Sequence, residues 1–221
     1  MRELLVTGGT GFLGKALIAE LVMRGHRVRA LVREGSRGKL PAGCEAVVGD
    51  ALKTEDIAHS LGTADTLVQL VGTPSPAPWR ARQFRDVDAV SCRAALAAAK
   101  GSAVKHFVYL SVAQPAPMMH AYVEVRAACE QQIRASGIPA TFVRPWYILG
   151  PGRRWPLVLL PLYWLLGLLP ATRAGARRLG LIPLDEVVRA MIVAIEQPSG
   201  KTLILDRDAI ARAAIGYKSA L

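Results

Sequence analysis

Short apolar runs alternate with longer segments of helical periodicity through the first 150 residues of this chain. Parallel strands cannot be joined by tight turns and need long crossovers, usually helices, so this alternation is typical of a parallel sheet covered by helices. The sequence therefore predicts an α/β fold of the doubly wound kind. The predicted strands are residues 3–8, 27–32, 45–50, 66–72, 106–111 and 140–145.

The same pattern places helices between these strands and divides the chain near residue 153. The clearest helices are predicted at 12–24, about 79–100 and 119–136. After residue 150 the alternation stops, and a helix at 185–196 and a strand at 201–206 follow. We therefore expect a core of residues 1–153 and a small C-terminal subdomain, residues 154–221, that shapes a substrate site or lid and includes the returning helix and strand.

Composition limits the classes of function. The chain has 221 residues, of which 52% are hydrophobic, so it can bury a sizeable core. Its three cysteines form no CxxC and no Cys/His cluster, which argues against a zinc site, any other metal site or a disulfide framework. No leader peptide is visible at the N-terminus, and a reducing cytoplasm is the expected compartment.

The formal net charge of +11 raises the question of a nucleic-acid partner. The arginines that produce it are scattered along the chain, and no helix-turn-helix, zinc finger or RNP motif accompanies them. We therefore expect no nucleic-acid partner.

The segment VTGGTGFLG follows the first predicted strand and opens the first predicted helix. Gly8 permits a tight turn, Gly11 lets the backbone approach a pyrophosphate, and Gly14 lets the helix pack closely. The free N–H groups and the dipole of the helix then face the phosphates. This context predicts a dinucleotide site rather than a structural glycine turn.

The end of the second strand bears on which dinucleotide binds. An acidic residue there holds a ribose 2′-hydroxyl, whereas an arginine suits a 2′-phosphate. This chain has Arg33 nineteen residues after Gly14, with Arg37 and Lys39 nearby. The acidic residue Glu34, in contrast, would favour NAD. We expect NADP in preference to NAD, with NAD as the alternative.

These motifs, taken in order, resemble those of an atypical short-chain dehydrogenase/reductase. The resemblance is to the branch with NmrA-like regulators and the nucleotide-binding accessory subunit of respiratory complex I. This branch is similar to NAD-dependent epimerases and dehydratases. It implies a Rossmann-like sheet in which TGGTGFLG holds the cofactor, VVGDA contacts adenine, and LVGTP lines the ribose. VYLS would end in a catalytic serine, and VRPWYILGPG would pass the nicotinamide. Together with Arg33, which its place at the end of the second strand indicates, the expected cofactor residues are Gly8, Thr10, Gly11, Phe12, Leu13, Gly14, Asp50, Ala51, Val71, Gly72 and Pro145.

The resemblance also implies a catalytic set of Ser111, Tyr122 and Arg126, in which YVEVR stands where the family has YxxxK. There tyrosine transfers a proton, serine holds the substrate oxygen, and lysine binds ribose and favours the phenolate. Arginine supplies the same charge with a different geometry, so Arg126→Lys should raise activity if the set is merely detuned.

A competing interpretation places Arg126 in a solvated row with Glu130 and Arg134, spaced four residues apart on the wet face of the helix. On that interpretation the site is altered or inactive. His120 is a further candidate acid, although a lone histidine is more often a surface residue.

Three functions follow from these alternatives. The leading hypothesis is an NADP-dependent oxidoreductase, or a related isomerase or dehydratase, that acts on an apolar small molecule. The second is a dinucleotide-binding sensor or regulator without turnover. The third is a nucleotide-holding accessory or membrane-peripheral assembly subunit.

The segment from Trp155 to Thr172 has no charged residue and is flanked by arginines. Prolines and a glycine interrupt it, which argues against a membrane-spanning helix. A hydrophobic lid, a subunit interface in a homo-oligomer and a membrane-surface patch all fit this pattern. We favour the lid and expect residues 156–169 to pack against the mouth of the cofactor cleft, near Tyr122 and Trp146.

Overall fold

A computed structural model describes residues 1–73, 77–153, 155–168 and 170–218. Its centre is a seven-stranded, wholly parallel sheet in the order β3-β2-β1-β4-β5-β6-β9. The doubly wound, Rossmann-like arrangement predicted from the sequence is confirmed. The strands of this sheet are β1 (Glu3–Thr7), β2 (Arg27–Val32), β3 (Glu45–Val48), β4 (Thr66–Gln69), β5 (His106–Leu110), β6 (Ala140–Val143) and β9 (Leu203–Leu205).

Helices cover both faces of the sheet. One face is covered by α1, α8 and α9, and the other by α2, α4 and α5. The single turn α3 and a π-helical segment, Phe84–Ala89, lead into α4. The helices are α1 (Phe12–Met23), α2 (Thr54–Leu61), α3 (Ala81–Gln83), α4 (Val90–Lys100), α5 (His120–Ala135), α6 (Leu160–Leu168), α7 (Pro170–Arg178), α8 (Leu184–Glu196) and α9 (Arg207–Lys218).

Each central strand is apolar on both of its faces because each face meets a helical layer. Leu4 and Val6 of β1 pack in the core beneath α1 and α8, whereas Leu5 packs in the core beneath α2 and α4. Fully buried parallel strands read as continuous apolar runs rather than as alternating ones, which explains why they were visible in the sequence.

The returning helix and strand join the core rather than forming a unit of their own. Strand β9 pairs with β6, and α8 packs against α1. A separate two-stranded parallel sheet, formed by β7 (Tyr147–Leu149) and β8 (Leu181–Pro183), was not predicted. Between these two short strands lie a 3-10 helix, Trp155–Leu159, and the helices α6 and α7.

Candidate functional site

An open cleft of about 370 Å³ lies at the carboxyl ends of the central strands. Gly8 follows β1, Leu70 follows β4, Ser111 follows β5 and Pro145 lies beyond β6, and all four line the cleft. In doubly wound sheets this edge, at the reversal of strand order, is where ligands bind. The described residues that line it are Gly8, Gly11, Phe12, Leu13, Gly14, Leu70, Gly72, Thr73, Leu110, Ser111, Val112, Tyr122, Arg126, Pro145, Trp146, Tyr147, Ile148 and Arg153.

The glycine loop forms one wall because side chains would not fit there. Gly8 has φ +75°, and a Cβ on it would lie 2.8 Å from the carbonyl carbon of Leu70. A Cβ on Gly14 would lie 2.5 Å from the oxygen of Gly8. Gly14 thus lets α1 pack against the loop itself, and the loop presents bare backbone to the cleft. The first turn of α1 carries no acidic residue, so its positive end is free to meet an anion such as a pyrophosphate.

The predicted cofactor residues fall into two groups. Gly8, Gly11, Phe12, Leu13, Gly14, Gly72 and Pro145 line the cleft, whereas Thr10, Arg33, Asp50, Ala51 and Val71 do not. Arg33 is exposed immediately after β2, at the start of a 3-10 helix, and Arg37 is exposed within that helix, 3.5 Å from Glu34. Asp50 follows β3 and accepts a hydrogen bond from the backbone N–H of Leu52.

Ser111 and Tyr122 both line the cleft. Ser111 is only 3% exposed, and its hydroxyl is a buried polar group without a hydrogen-bond partner in the described part of the chain. Buried hydroxyls are normally paired, so an orphaned one that lines a cleft indicates a group that a ligand completes. Tyr122 is half-buried in the first turn of α5, where its ring packs 4.9 Å from that of Phe84.

Arg126 is buried in the wall of the cleft, 2% exposed, and protein groups engage both of its terminal nitrogens, whereas its Nε has no hydrogen-bond partner among the described residues. Its Nη2 lies 2.6 Å from Oδ1 of Asp88, and its Nη1 donates to the carbonyl of Leu110 at 2.6 Å. The guanidinium also lies 5.3 Å from the centre of the Tyr122 ring. Burial opposes this charge, but Tyr109, Tyr122 and Asp88 together raise the pKa of Arg126 well above its ordinary value. A permanent cation therefore lies beside the phenol.

The competing interpretation of Arg126 as a member of a solvated row is wrong. Arg126 pairs across to Asp88 rather than along its own helix, because α5 turns this side toward the sheet. Glu130 is also buried, and Arg144, Arg134 and Gln114 donate hydrogen bonds to it. His120 is exposed at the start of α5 and does not line the cleft.

Asp88 was missed at the sequence level. It is 1% exposed, and its second oxygen accepts hydrogen bonds from the backbone N–H (2.9 Å) and the hydroxyl (2.7 Å) of Thr73. Asp88 thus ties the end of β4 to Arg126. A signal was available, because Asp88 lies at helical spacing among Phe84, Ser91 and Cys92, and a charge inside such a stripe indicates a buried partner.

Arg153 was also missed. It lines the cleft, and its guanidinium lies 5.1 Å from the centre of the Phe12 ring, next to the start of α1. None of the described residues between 156 and 169 lines the cleft, so the placement of this segment at the mouth of the cleft stays a prediction. Helix α6 packs against α7. Burial, and to a smaller extent Tyr147, raises the pKa of Tyr163.

Comparison with known proteins agrees with this geometry. A family model described as NAD(P)H-binding matches residues 8–154, a range that spans the glycine loop, Ser111, Tyr122 and Pro145. The chain belongs to this NAD(P)H-binding family. The bare glycine backbone, the open positive end of α1 and the unpaired Ser111 hydroxyl all fit a bound dinucleotide with a substrate beside it.

Among its relatives are a reductase and an assembly factor. The chain is 27% identical over 195 residues to the ceramide reductase of Caulobacter vibrioides, a match that covers 87% of this chain and 61% of that one. It is 28% identical over 145 residues to the photosystem II assembly factor Ycf39 of Trieres chinensis, a match that covers 64% of this chain and 44% of that one. The chain therefore spans about half of the length of these relatives.

Solved structures share the fold at low identity. The Bordetella bronchiseptica enzyme WbmH, solved with NAD⁺, has a TM-score of 0.70 and 18% identity, over 93% of this chain and 75% of that one. Among the described residues no helix is long and apolar enough to cross a membrane.

Proposed function

We propose that the chain is an NADP(H)-dependent oxidoreductase that interconverts a carbonyl and an alcohol on an apolar small molecule. The observation that carries the proposal is the unpaired, buried hydroxyl of Ser111 in the same cleft as Tyr122 and the glycine loop. A bound nicotinamide would supply or accept the hydride. The glycine loop and the start of α1 would hold the pyrophosphate, and Gly72 and Pro145 would lie along the remainder of the cofactor.

The protein residues divide the remaining work. Ser111 would donate a hydrogen bond to the substrate oxygen, and Tyr122 would give that oxygen its proton in reduction and remove it in oxidation. The positive charge of Arg126, beside the Tyr122 ring, stabilises the negative charge left on the phenol oxygen as the proton leaves. Because Asp88 and Leu110 hold its guanidinium, Arg126 acts as a fixed charge rather than as a ligand of the ribose.

An apolar substrate is supported by the part of the cleft lining that lies outside the glycine loop. Leu110, Val112, Trp146, Tyr147 and Ile148 line it, and apolar and aromatic walls with few polar groups are typical of sites for apolar ligands. The name of the ceramide reductase, a relative over most of this chain, supports the same substrate class.

The preference for NADP rests on Arg33. It is exposed at the end of β2, and no ion pair engages it in the part of the chain that the structure describes, so its guanidinium is free to bind a 2′-phosphate. Arg37 is the second candidate, although Glu34 already lies near it. We also propose a reducing cytoplasm as the compartment, since Cys44, Cys92 and Cys129 are all free thiols.

Turnover tests the proposal most plainly. Oxidation of NADPH is followed with long-chain aldehydes and ketones, and we expect Ser111→Ala and Tyr122→Phe each to lower kcat by roughly a hundredfold or more. Tyr163→Phe and His120→Gln are matched controls outside the cleft and should leave kcat unchanged. Turnover that survives Tyr122→Phe would refute the assignment of the proton donor.

A second candidate is an assembly protein or regulator that holds a nucleotide without turnover. The observation that favours it is the pairing of Arg126 with Asp88, which takes up the donors that the family's lysine offers to the ribose. The Ycf39 relative bears the name of an assembly factor. Tight NADPH binding combined with no hydride transfer to any of the long-chain aldehydes and ketones would select this candidate.

A further inference from the structure

An apolar surface lies outside the cleft, on the 3-10 helix and on α6. Thirteen large apolar side chains are exposed in the described part of the chain, and six of them fall between residues 157 and 168. Val158 is 75% exposed, Trp164 70% and Leu168 60%. Single exposed apolar side chains are ordinary, but a cluster of this kind marks an interaction site. The six side chains are Leu157, Val158, Leu160, Trp164, Leu165 and Leu168, and we name them the α6 surface.

The α6 surface lies on a helix that packs against other helices rather than against the main sheet. Leu160, Trp164 and Leu168 are four residues apart, so they project from one side of α6. The helix packs against α7 and the preceding 3-10 helix. The exposed side of α6 therefore contributes little to the core of the protein, and its apolar residues call for another explanation.

Charge around the α6 surface has one sign. Residues 131–184 contain no aspartate or glutamate but seven arginines. Glu130 engages two of these, Arg134 and Arg144. Arg153, Arg173 and Arg177 are exposed and form no ion pair with any residue that the structure describes. The α6 surface thus lies in a stretch of the chain whose only formal charges are positive.

We propose that the α6 surface docks on an anionic lipid bilayer. Leu160, Leu165 and Leu168 would enter the boundary between head groups and acyl chains, with Trp164 at head-group depth. Arg173 and Arg177, on the adjoining α7, would contact lipid phosphates. The helix would lie in the plane of the membrane, since α6 has nine residues and a span needs about twenty.

A second copy of the chain fits this surface less well. A symmetric dimer would bring two copies of the same arginines together with no acidic residue from 131–184 to compensate for them, and like charges at an interface oppose association. Anionic lipid, in contrast, matches both the apolar stripe and the charge. This proposal does not depend on catalysis, so its failure would leave the proposed reaction untouched.

Vesicle flotation tests the proposal. The full chain is mixed with vesicles of phosphatidylcholine alone, or of phosphatidylcholine with phosphatidylglycerol, at low and high salt. We expect flotation with the phosphatidylglycerol vesicles, weaker at high salt, and little with phosphatidylcholine alone. Each arginine near an anionic surface contributes about 1 kcal/mol, so Arg173→Gln with Arg177→Gln should lower partitioning about thirtyfold. Trp164→Ser with Leu165→Ser should abolish it.

Matched controls separate the surface from overall charge and hydrophobicity. Arg93→Gln with Lys100→Gln removes two exposed charges from α4, on the other face of the sheet, and Met23→Ser removes an exposed apolar side chain at the end of α1. Both controls should float like the unmodified chain. All variants should keep their NADPH affinity, which shows that the core is intact.

Two results would overturn the proposal. One is the absence of flotation with phosphatidylglycerol vesicles, or flotation that the α6 and α7 substitutions leave unchanged. The other is self-association in sedimentation velocity, without vesicle binding, that Trp164→Ser with Leu165→Ser abolishes, because the surface would then be an interface between copies of the chain.

Discussion

The two walls of the cleft are built by different means. On the cofactor wall, Gly8, Gly11 and Gly14 lie within seven residues, and their close contacts are mainly with one another and with the end of β4. On the opposite wall, Arg126 is held by Asp88, which is 38 residues away, and by Leu110, which is 16 residues away. The first wall is a matter of backbone conformation. The second is a buried ion pair assembled from three separate elements.

This difference predicts separable failures. Damage to the glycine loop should remove the dinucleotide but leave the Arg126 network in place. Damage to the network should remove stability and turnover but leave the phosphate-binding loop able to bind a nucleotide. Variants on each wall therefore test whether the two walls fail independently.

Asp88→Asn should have the largest effect on stability. The side chain keeps its shape but loses its charge, which leaves Arg126 as an uncompensated buried cation at a cost of about 3 to 5 kcal/mol. Chemical denaturation measures this loss. Adenosine 2′,5′-bisphosphate, which needs only the cofactor wall, should still bind to the folded fraction. A loss below about 1 kcal/mol would contradict the view that the ion pair organises this wall.

Arg126→Lys should destabilise the protein and should not raise activity. This reverses the expectation drawn from the family pattern, because a lysine ammonium cannot reach both Asp88 and the carbonyl of Leu110 in the fork geometry that they fit. The loss of a hydrogen bond to a charged group costs about 1.5 to 3 kcal/mol. Arg82→Lys, at an 89% exposed arginine that pairs with Asp86, is the control and should be neutral. Higher turnover in Arg126→Lys would restore the original expectation.

Gly14→Ala should damage the other wall. The added Cβ would lie 2.5 Å from the oxygen of Gly8, so the loop must shift, at a cost of about 1 to 3 kcal/mol. We expect NADPH affinity to fall at least roughly tenfold, since that loss is about 1.4 kcal/mol. Gly101→Ala, where a Cβ meets nothing within 4 Å, is the control for both measurements. Unchanged NADPH binding in Gly14→Ala would show that the loop does not hold the cofactor.

Thr73→Val should give the smallest effect. It removes one of the two hydrogen bonds from Thr73 to Asp88 and leaves the bond from the backbone N–H, so we expect a loss of about 0.5 to 1.5 kcal/mol. In a double-mutant cycle with Asp88→Asn the two losses should not add, since both act on one network. Additive losses would place Thr73 outside it.

The sequence predicted what is local. All seven strands of the main sheet were found, the central ones because buried strands are continuous apolar runs, and the glycine loop was found because its function depends on neighbouring residues. Strands β7 and β8 were missed, since each has three residues in a proline-rich region. Ser111 and Tyr122 were found only through their resemblance to a family pattern.

Long-range features were not predicted. A spacing of four residues fits a solvated row on a helix as well as it fits a buried arginine, and the sequence does not state which side of α5 faces the sheet. The ion pair with Asp88 shows that Arg126 is buried, but Asp88 is 38 residues from Arg126 in the sequence. The uncharged segment after Trp155 fits a lid or an exposed surface equally well in the sequence, and only the structure shows which of its described side chains are exposed.

Calorimetric titration with NADPH and NADH shows directly whether the cleft binds a dinucleotide, on which every proposed catalytic role depends. A charge-assisted contact from Arg33 contributes about 1.5 to 3 kcal/mol, so NADPH should bind roughly ten- to a hundredfold more tightly than NADH. Arg33→Ala should remove most of that difference while leaving NADH affinity unchanged. Equal affinities that Arg33→Ala does not alter would contradict the assignment of NADP, and the absence of binding by either dinucleotide would contradict the proposed function as a whole.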